Sequence, residues 1–388
     1  MSRMDLRFNA GVEYKGKVYA SAININGLFQ LDLSTKKVTY IKMFIKEKVC
    51  FAIHRMAFLY RNNAWFIPQN GEYIAVVNLD TLDIQYLLPP FNRSNKEAIS
   101  KINAVYYSGG IIGEKYLYLV PTNIDTLLLI NLDTRKLYPY YNVSYEGEVF
   151  LFGTYLNEAI YLWPYKGNNF VEINLKSNMR KRYHWQHSSR ISADTVCYQN
   201  EVWFCPGYSD YILVMSLNTN EFEKIPLAEY YDSKCAYEQV YLFNNRMFFV
   251  PHQGNKLLVV DANTRAISAM YLPDEVLKNG KNGFAVLFSK DQMILASFSG
   301  SVVLLYERNT ETFERIDISV KRDDLIREAK QTKDFQIDRF IYDEFLQQYL
   351  GLEKCFSIIS MPNKVQANGI DNSGEKIWTN LKTHRRKA

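Results

Sequence analysis

The stretch RMAFLYRNNAWFIPQNGEYIAVVNLDTLDIQYLL, residues 55–88, decides the fold. It contains short apolar runs at Arg55–Tyr60, Ala64–Pro68, Tyr73–Leu79 and Ile84–Leu88. Asn62-Asn63, Asn70-Gly71 and Asp80-Thr81 interrupt them. Asn and Asp suit such turns because their side chains bond local backbone and tolerate unusual dihedrals. Short runs rich in aromatic and branched residues predict strands. Four of them joined by tight turns predict one antiparallel sheet, with strands A to D in chain order. A single sheet of this kind cannot bury both of its faces.

The same unit recurs along the chain. Strand B ends at Val18–Ser21, Trp65–Pro68, Tyr118–Pro121, Tyr161–Pro164, Trp203–Pro206, Phe248–Pro251 and Ile294–Ser297. A polar turn follows at Thr35, Thr81, Thr134, Ser177, Thr219, Thr264 and Thr310. The offset from Pro68 to Thr81 is repeated from Pro121 to Thr134, Pro164 to Ser177, Pro206 to Thr219 and Pro251 to Thr264. The units follow one another at roughly 40 to 50 residues, the period of propeller blades. Arranged radially, seven such sheets bury each other's faces and leave only short edges. The expectation is an all-β, seven-bladed β-propeller of four-stranded blades over residues 7–319. An open solenoid is the weaker alternative, since its units are usually shorter or helical.

The aromatic strand B and the polar turn after strand C resemble the kelch-like and galactose-oxidase-like propellers. A Gly-Gly pair of the kelch kind occurs only at Gly109-Gly110, and the Trp-Asp and Gly-His signatures of WD repeats are absent. The chain, with its ending Gly374-Glu375-Lys376-Ile377-Trp378, also resembles bacterial propeller proteins associated with surface-polysaccharide gene clusters. That resemblance implies a role near glycans and no particular reaction.

After Phe313 the pattern changes, and residues 320–388 are expected to form a helical C-terminal extension. Helices are predicted at Asp323–Lys330 and Asp338–Tyr349 from their apolar spacing, and from Ser373 through Lys382 from a capping signal. The final His384-Arg385-Arg386-Lys387 reads as a solvated basic tail.

Composition removes several classes of function. The net charge is only +5, from 46 basic and 41 acidic residues, which argues against a nucleic-acid partner. No run approaches the roughly 20 apolar residues that span a bilayer. The start Met1-Ser2-Arg3-Met4 carries no signal-like apolar run, so the cytoplasm is expected. The cysteines Cys50, Cys197, Cys205, Cys235 and Cys355 show no Cys-x-x-Cys spacing and are expected to be reduced. His184 and His187 have no evident third ligand, so neither a metal centre nor a cofactor is predicted. Gly-rich phosphate loops, G-x-S-x-G elbows and H-E-x-x-H motifs are absent.

Because strands alternate in direction, the B–C and D–A loops share one face of the ring. They vary in length and composition, as specificity loops do. Asn70, Asn123, Tyr165, Trp185, Tyr208 and His252 are the candidate ligand-binding residues on that face. Amides bond sugar hydroxyls and rings cover apolar sugar faces. The segment Arg180–Arg190 is basic and aromatic, suited to a phosphate or a uronate. Glu148, Asp194 and Glu238 fall near strand A and are candidate channel carboxylates. The function expected is a non-catalytic binding or scaffold propeller that recognises glycans or proteins of a glycan pathway. The alternative is a propeller glycosidase or polysaccharide lyase that uses the channel acids. A plugged mouth favours the first, and a deep pocket with two facing acids the second.

Overall fold

Each repeat forms one antiparallel sheet of four consecutive strands, as the spacing predicts. In the second blade these are His54–Tyr60, Asn63–Pro68, Ile74–Asn78 and Ile84–Leu87. The molecule is described by a computed structural model, covering residues 3–48, 51–90, 107–121, 126–142, 148–186, 194–273, 283–289, 292–332, 335–336 and 339–341. The strands A are Phe8–Tyr14, His54–Tyr60, Tyr107–Ile112, Val149–Leu156, Thr195–Tyr198, Ala236–Phe243 and Phe284–Leu287. Each contacts the strand A of both neighbouring blades, so these seven strands form the inner ring.

The core is divided among the spaces between blades. Trp65 lies between blades two and three, Trp163 between four and five, and Trp203 between five and six. All three are at most 1% exposed. The proline column sits at strand B, where Pro68 and Pro121 end their strands. Pro68 lies opposite His54, where the A–B register slips, and Pro121 likewise opposite Tyr107. A residue without an N–H is tolerated there because the ladder is already interrupted.

The C–D turns have an anchor three residues upstream of the Thr column. Asn78 Oδ1 accepts the N–H groups of Asp80 and Thr81 at 3.0 and 3.1 Å. Asp32, Asn131, Asn174 and Asp261 do the same for their own turns. The residue after each Thr or Ser then turns left-handed, with φ of 62° at Leu82 and 59° at Arg135.

The ring closes through its two ends. Arg3–Met4 pairs with Val320–Lys321. Glu13 N–H donates to Phe288 O at 2.7 Å, and Phe288 N–H to Gly11 O at 2.9 Å, joining the inner strands of blades one and seven. Helix α1, Arg322–Lys330, covers the whole of the first predicted helix. Its Leu325 and Ala329 enter the core shared by those two blades, together with Phe340. Residues 339–341 form a 3-10 turn and a bridge from Ile341 to Ile25 rather than an α-helix. One compact unit runs through residue 342. The rest of the second predicted helix, the third, and the basic end lie outside the described residues. No described helix is long and apolar enough to cross a membrane.

Candidate functional site

Register slips build the site. The A–B pairing slips at Phe8/Ala10, His54/Met56, Tyr107/Gly109, Phe150/Phe152 and Tyr237/Gln239. A bulge leaves one extra residue unpaired and re-aims its side chain. Three of these extra residues, Asn9, Arg55 and Glu238, line one cavity of about 270 Å³. Gln69, Gln239 and His252 add polar groups, and Phe51, Phe284 and Phe298 add rings. The cavity opens on the face of the B–C and D–A loops, between blades one, two, six and seven.

Several of these groups also hold the ring together. Asn9 Nδ2 donates to His54 O at 2.5 Å and to Gln69 Oε1 at 3.1 Å. Gln239 Oε1 accepts Val286 N–H at 2.8 Å. Asp194 Oδ1 accepts Thr195 N–H at 2.8 Å, and its Oδ2 accepts Val240 N–H at 3.1 Å in the next blade. Burial raises the Asp194 pKa to about 7, against the opposing pull of those two N–H groups and of Arg55.

Arg55 meets Asp194 and Glu238 only through their fields, and burial lowers its pKa below the usual guanidinium value. Glu238 Oε2 lies 3.2 Å from His252 Nδ1, with both side chains about half exposed. The mouth therefore carries both signs of charge alongside three amides, and the Arg55 side chain reaches from blade two to the ring of Phe152 in blade four.

The predicted site residues separate in the structure. His252 lines the mouth. Asn70 stands beside it, its Nδ2 donating to Phe51 O at 3.2 Å. Tyr208 is exposed on the same face, with its hydroxyl 3.2 Å from Gln253 Oε1. Trp185 goes to the core instead: it is 3% exposed and packs on Trp163, Phe204 and Phe222. Its backbone N–H donates to Asn168 O at 2.7 Å, continuing the ladder past His184. Tyr165 lies in the strand Ala159–Lys166. Asn123 lies outside the described residues.

Glu148 is withdrawn from the channel set. Its carboxylate accepts from Asn169 at 2.8 Å and Arg182 at 2.5 Å, and the side chain is 6% exposed. The same ion pair draws one arginine of the basic segment into the structure. Among the described residues no cluster has the makeup of a metal site. Cys197, Cys205 and Cys235 are free thiols, while Cys50 and Cys355 lie outside the described residues.

Sequence reasoning missed Arg55 and Asn9. Each is a polar residue near the head of an apolar inner strand, in the same column as Glu238, but the register slip that aims it into the mouth leaves no mark in the local pattern.

No protein-family model matches the chain, and no curated protein matches it. Solved structures do. A streptogramin B lyase is 16% identical, with 77% of this chain and 93% of that one covered at a TM-score of 0.57. Virginiamycin B lyase from Staphylococcus aureus is 13% identical over 68% and 84% of the two chains, at 0.53. The Pan2 WD40 domain of Neurospora crassa is 11% identical over 76% and 85%, at 0.51. At such identities the likeness is one of fold, and it agrees with the seven sheets: the protein is a β-propeller.

Proposed function

We propose that this chain is a non-catalytic binding propeller that takes a neutral, hydroxyl-rich ligand, one sugar unit of a glycan, in its axial mouth. The observation that carries the reading is the convergence of Asn9, Arg55 and Glu238 on one cavity of about 270 Å³ beside Gln69, Gln239 and His252. Amides supply both donors and acceptors, which is what hydroxyls require. Phe51, 37% exposed, offers a ring to an apolar sugar face. Both signs of charge inside the mouth favour a neutral ligand. The aromatic strand B and the polar C–D turn resemble those of kelch-like propellers. The free thiols Cys197, Cys205 and Cys235 fit a reducing, cytoplasmic setting.

A glycan array followed by calorimetry tests this reading. Saturable binding without bond cleavage is expected. Absence of any saturable glycan defeats it.

A second reading, a lyase, is favoured by the pairing of His252 with Glu238 at 3.2 Å. A carboxylate that orients an imidazole is the arrangement of a general base. Two fold neighbours are lyases by name. Asp194 gives this reading no second free acid, since backbone N–H groups hold both of its oxygens. Release of an unsaturated product from an array ligand would select the lyase over the binding protein.

A further inference from the structure

The Arg55 guanidinium is short of acceptors rather than of charge. It carries five N–H donors in a fixed fork. The side chain lines the axial cavity and ends over the ring of Phe152 at 5.9 Å. Among the described residues no hydrogen bond or ion pair engages its N–H groups. Burial disfavours its charge, and the fields of Glu238 and Asp194 offset part of that cost. The charge is thus compensated from a distance, while the donors are not. A largely buried donor without an acceptor carries a desolvation cost that a bound acceptor removes.

The neighbouring groups complete a matching set. Gln69 Oε1 is taken by Asn9 and Gln239 Oε1 by the Val286 N–H. The amide nitrogens of both side chains are left as further donors. Glu238 gives one carboxylate oxygen to His252 at 3.2 Å and keeps the other as an acceptor. Asn9 donates through Nδ2 and keeps Oδ1 as a second acceptor. A hydroxyl accepts on its oxygen while it donates its proton. Each of two adjacent hydroxyls therefore has an N–H of the fork to accept and an acid or amide oxygen to receive its proton.

We propose that Arg55 is the specificity-determining residue of the mouth, and that its fork takes the two oxygens of a vicinal diol. The sugar unit selected is then one with an unsubstituted pair of adjacent hydroxyls. This inference rests on the sugar-binding reading of the mouth. A carboxylate or phosphate also fits a guanidinium fork, but it brings negative charge into the fields of Glu238 and Asp194. An isolated carbonyl offers one oxygen where the fork presents parallel N–H groups.

The test titrates the full chain by calorimetry with the methyl glycosides of mannose, glucose, galactose and fucose. Each is paired with monodeoxy analogues that lack one hydroxyl of an adjacent pair. At least one parent glycoside is expected to saturate the protein, and loss of the decisive hydroxyl should weaken it about tenfold or more. Arg55→Lys keeps a cation in the channel and removes the fork. It should weaken the parent glycoside about tenfold and leave the deoxy analogue little changed, so that the difference between the two sugars shrinks. The deoxy comparison on the wild-type chain stands even where the variant is poorly folded. A parent glycoside that binds wild type and Arg55→Lys alike overturns the role of Arg55 and leaves sugar binding intact. So does a set of deoxy analogues that all bind as well as their parents, or methyl glucuronide binding more tightly than methyl glucoside. Silence of every glycoside overturns this inference, and silence of the glycan array as well defeats the sugar reading itself.

Discussion

Arg55 stands over the ring of Phe152 at 5.9 Å, although the two residues belong to inner strands of blades two and four. The side chain therefore reaches across the axis and places a cation within the field of Asp194 in blade five. The cation lowers the Asp194 pKa, while burial raises it by more. Replacing Arg55 with Met keeps an unbranched chain in the channel and removes the charge. Asp194 should then titrate above its present value of about 7. Carboxyl NMR across a pH series reads this directly, and a downward shift would show that the guanidinium is not the nearest influence.

Glu47 supplies a prediction about pH and stability. It is fully buried, and its carboxylate accepts the N–H groups of Glu72 and Tyr73 at 2.8 and 3.0 Å. Burial raises its pKa from 4.5 to about 7. A raised acid holds a proton in the folded state that the unfolded state has already lost. Its contribution is full below about pH 4.5 and disappears as the pH rises to about 7. His54 acts in the opposite sense: burial lowers its pKa to about 3, so its contribution is present above about pH 6.5 and is lost in acid. The wild-type slope is thus a sum, and a single variant isolates one part. Glu47→Gln should reduce the loss of stability between pH 5 and pH 8 by up to about 3 kcal/mol. Urea denaturation at both pH values measures it, and equal slopes in the two proteins refute the assignment.

Closure through the C-terminal segment makes a third prediction. Phe340 is fully buried, meets the ring of Tyr40 at 5.5 Å, and accepts Asn26 N–H on its carbonyl at 2.7 Å. Phe340→Ala leaves a cavity where blades one and seven meet, at a cost of about 3–5 kcal/mol. Ending the chain at residue 319 also removes the Arg3–Met4 pairing with Val320–Lys321 and should lower the melting temperature further. A truncated chain as stable as the whole would mean that the blade-to-blade bonds of Glu13 and Phe288 close the ring unaided.

The ring was legible because its signals are local. Pro68 and Thr81 mark a strand end and a turn, and neither depends on distant residues. The true turn anchor, Asn78, was equally local but lay inside what reads as an apolar strand. Arg55 is different in kind. Its aim into the mouth depends on a one-residue slip between His54 and Met56, and nothing in the local pattern marks a slip. Trp185 was misread for the converse reason. It sits in a polar stretch, yet its backbone extends the ladder and its ring packs on Trp163, Phe204 and Phe222. Glu148 looked like a free acid because its partner Arg182 is far from it in sequence and adjacent only after the sheet forms.

The two faces of the ring give the last prediction. His252 and Phe51 border the axial mouth, and both side chains are partly exposed. His252→Ala removes the ring that pairs with Glu238, and Phe51→Ala removes a surface for an apolar sugar face. A hydrogen bond is worth about 0.5–1.5 kcal/mol, and an aromatic contact adds a comparable amount. The double variant should therefore bind an array-selected glycan at least about tenfold more weakly, since about 1.4 kcal/mol is one decade. Folding should be little changed, because neither ring is among the core clusters. Asp80→Ala with Asp133→Ala is the matched control on the opposite face. It breaks the bonds from Tyr14 and Tyr60 and the ion pairs to Lys15 and Arg61, all of them solvent-exposed. Glycan affinity measured by calorimetry should match the wild type in that control. If the control lost affinity and the mouth variant kept it, glycan recognition would belong to the C–D turn face.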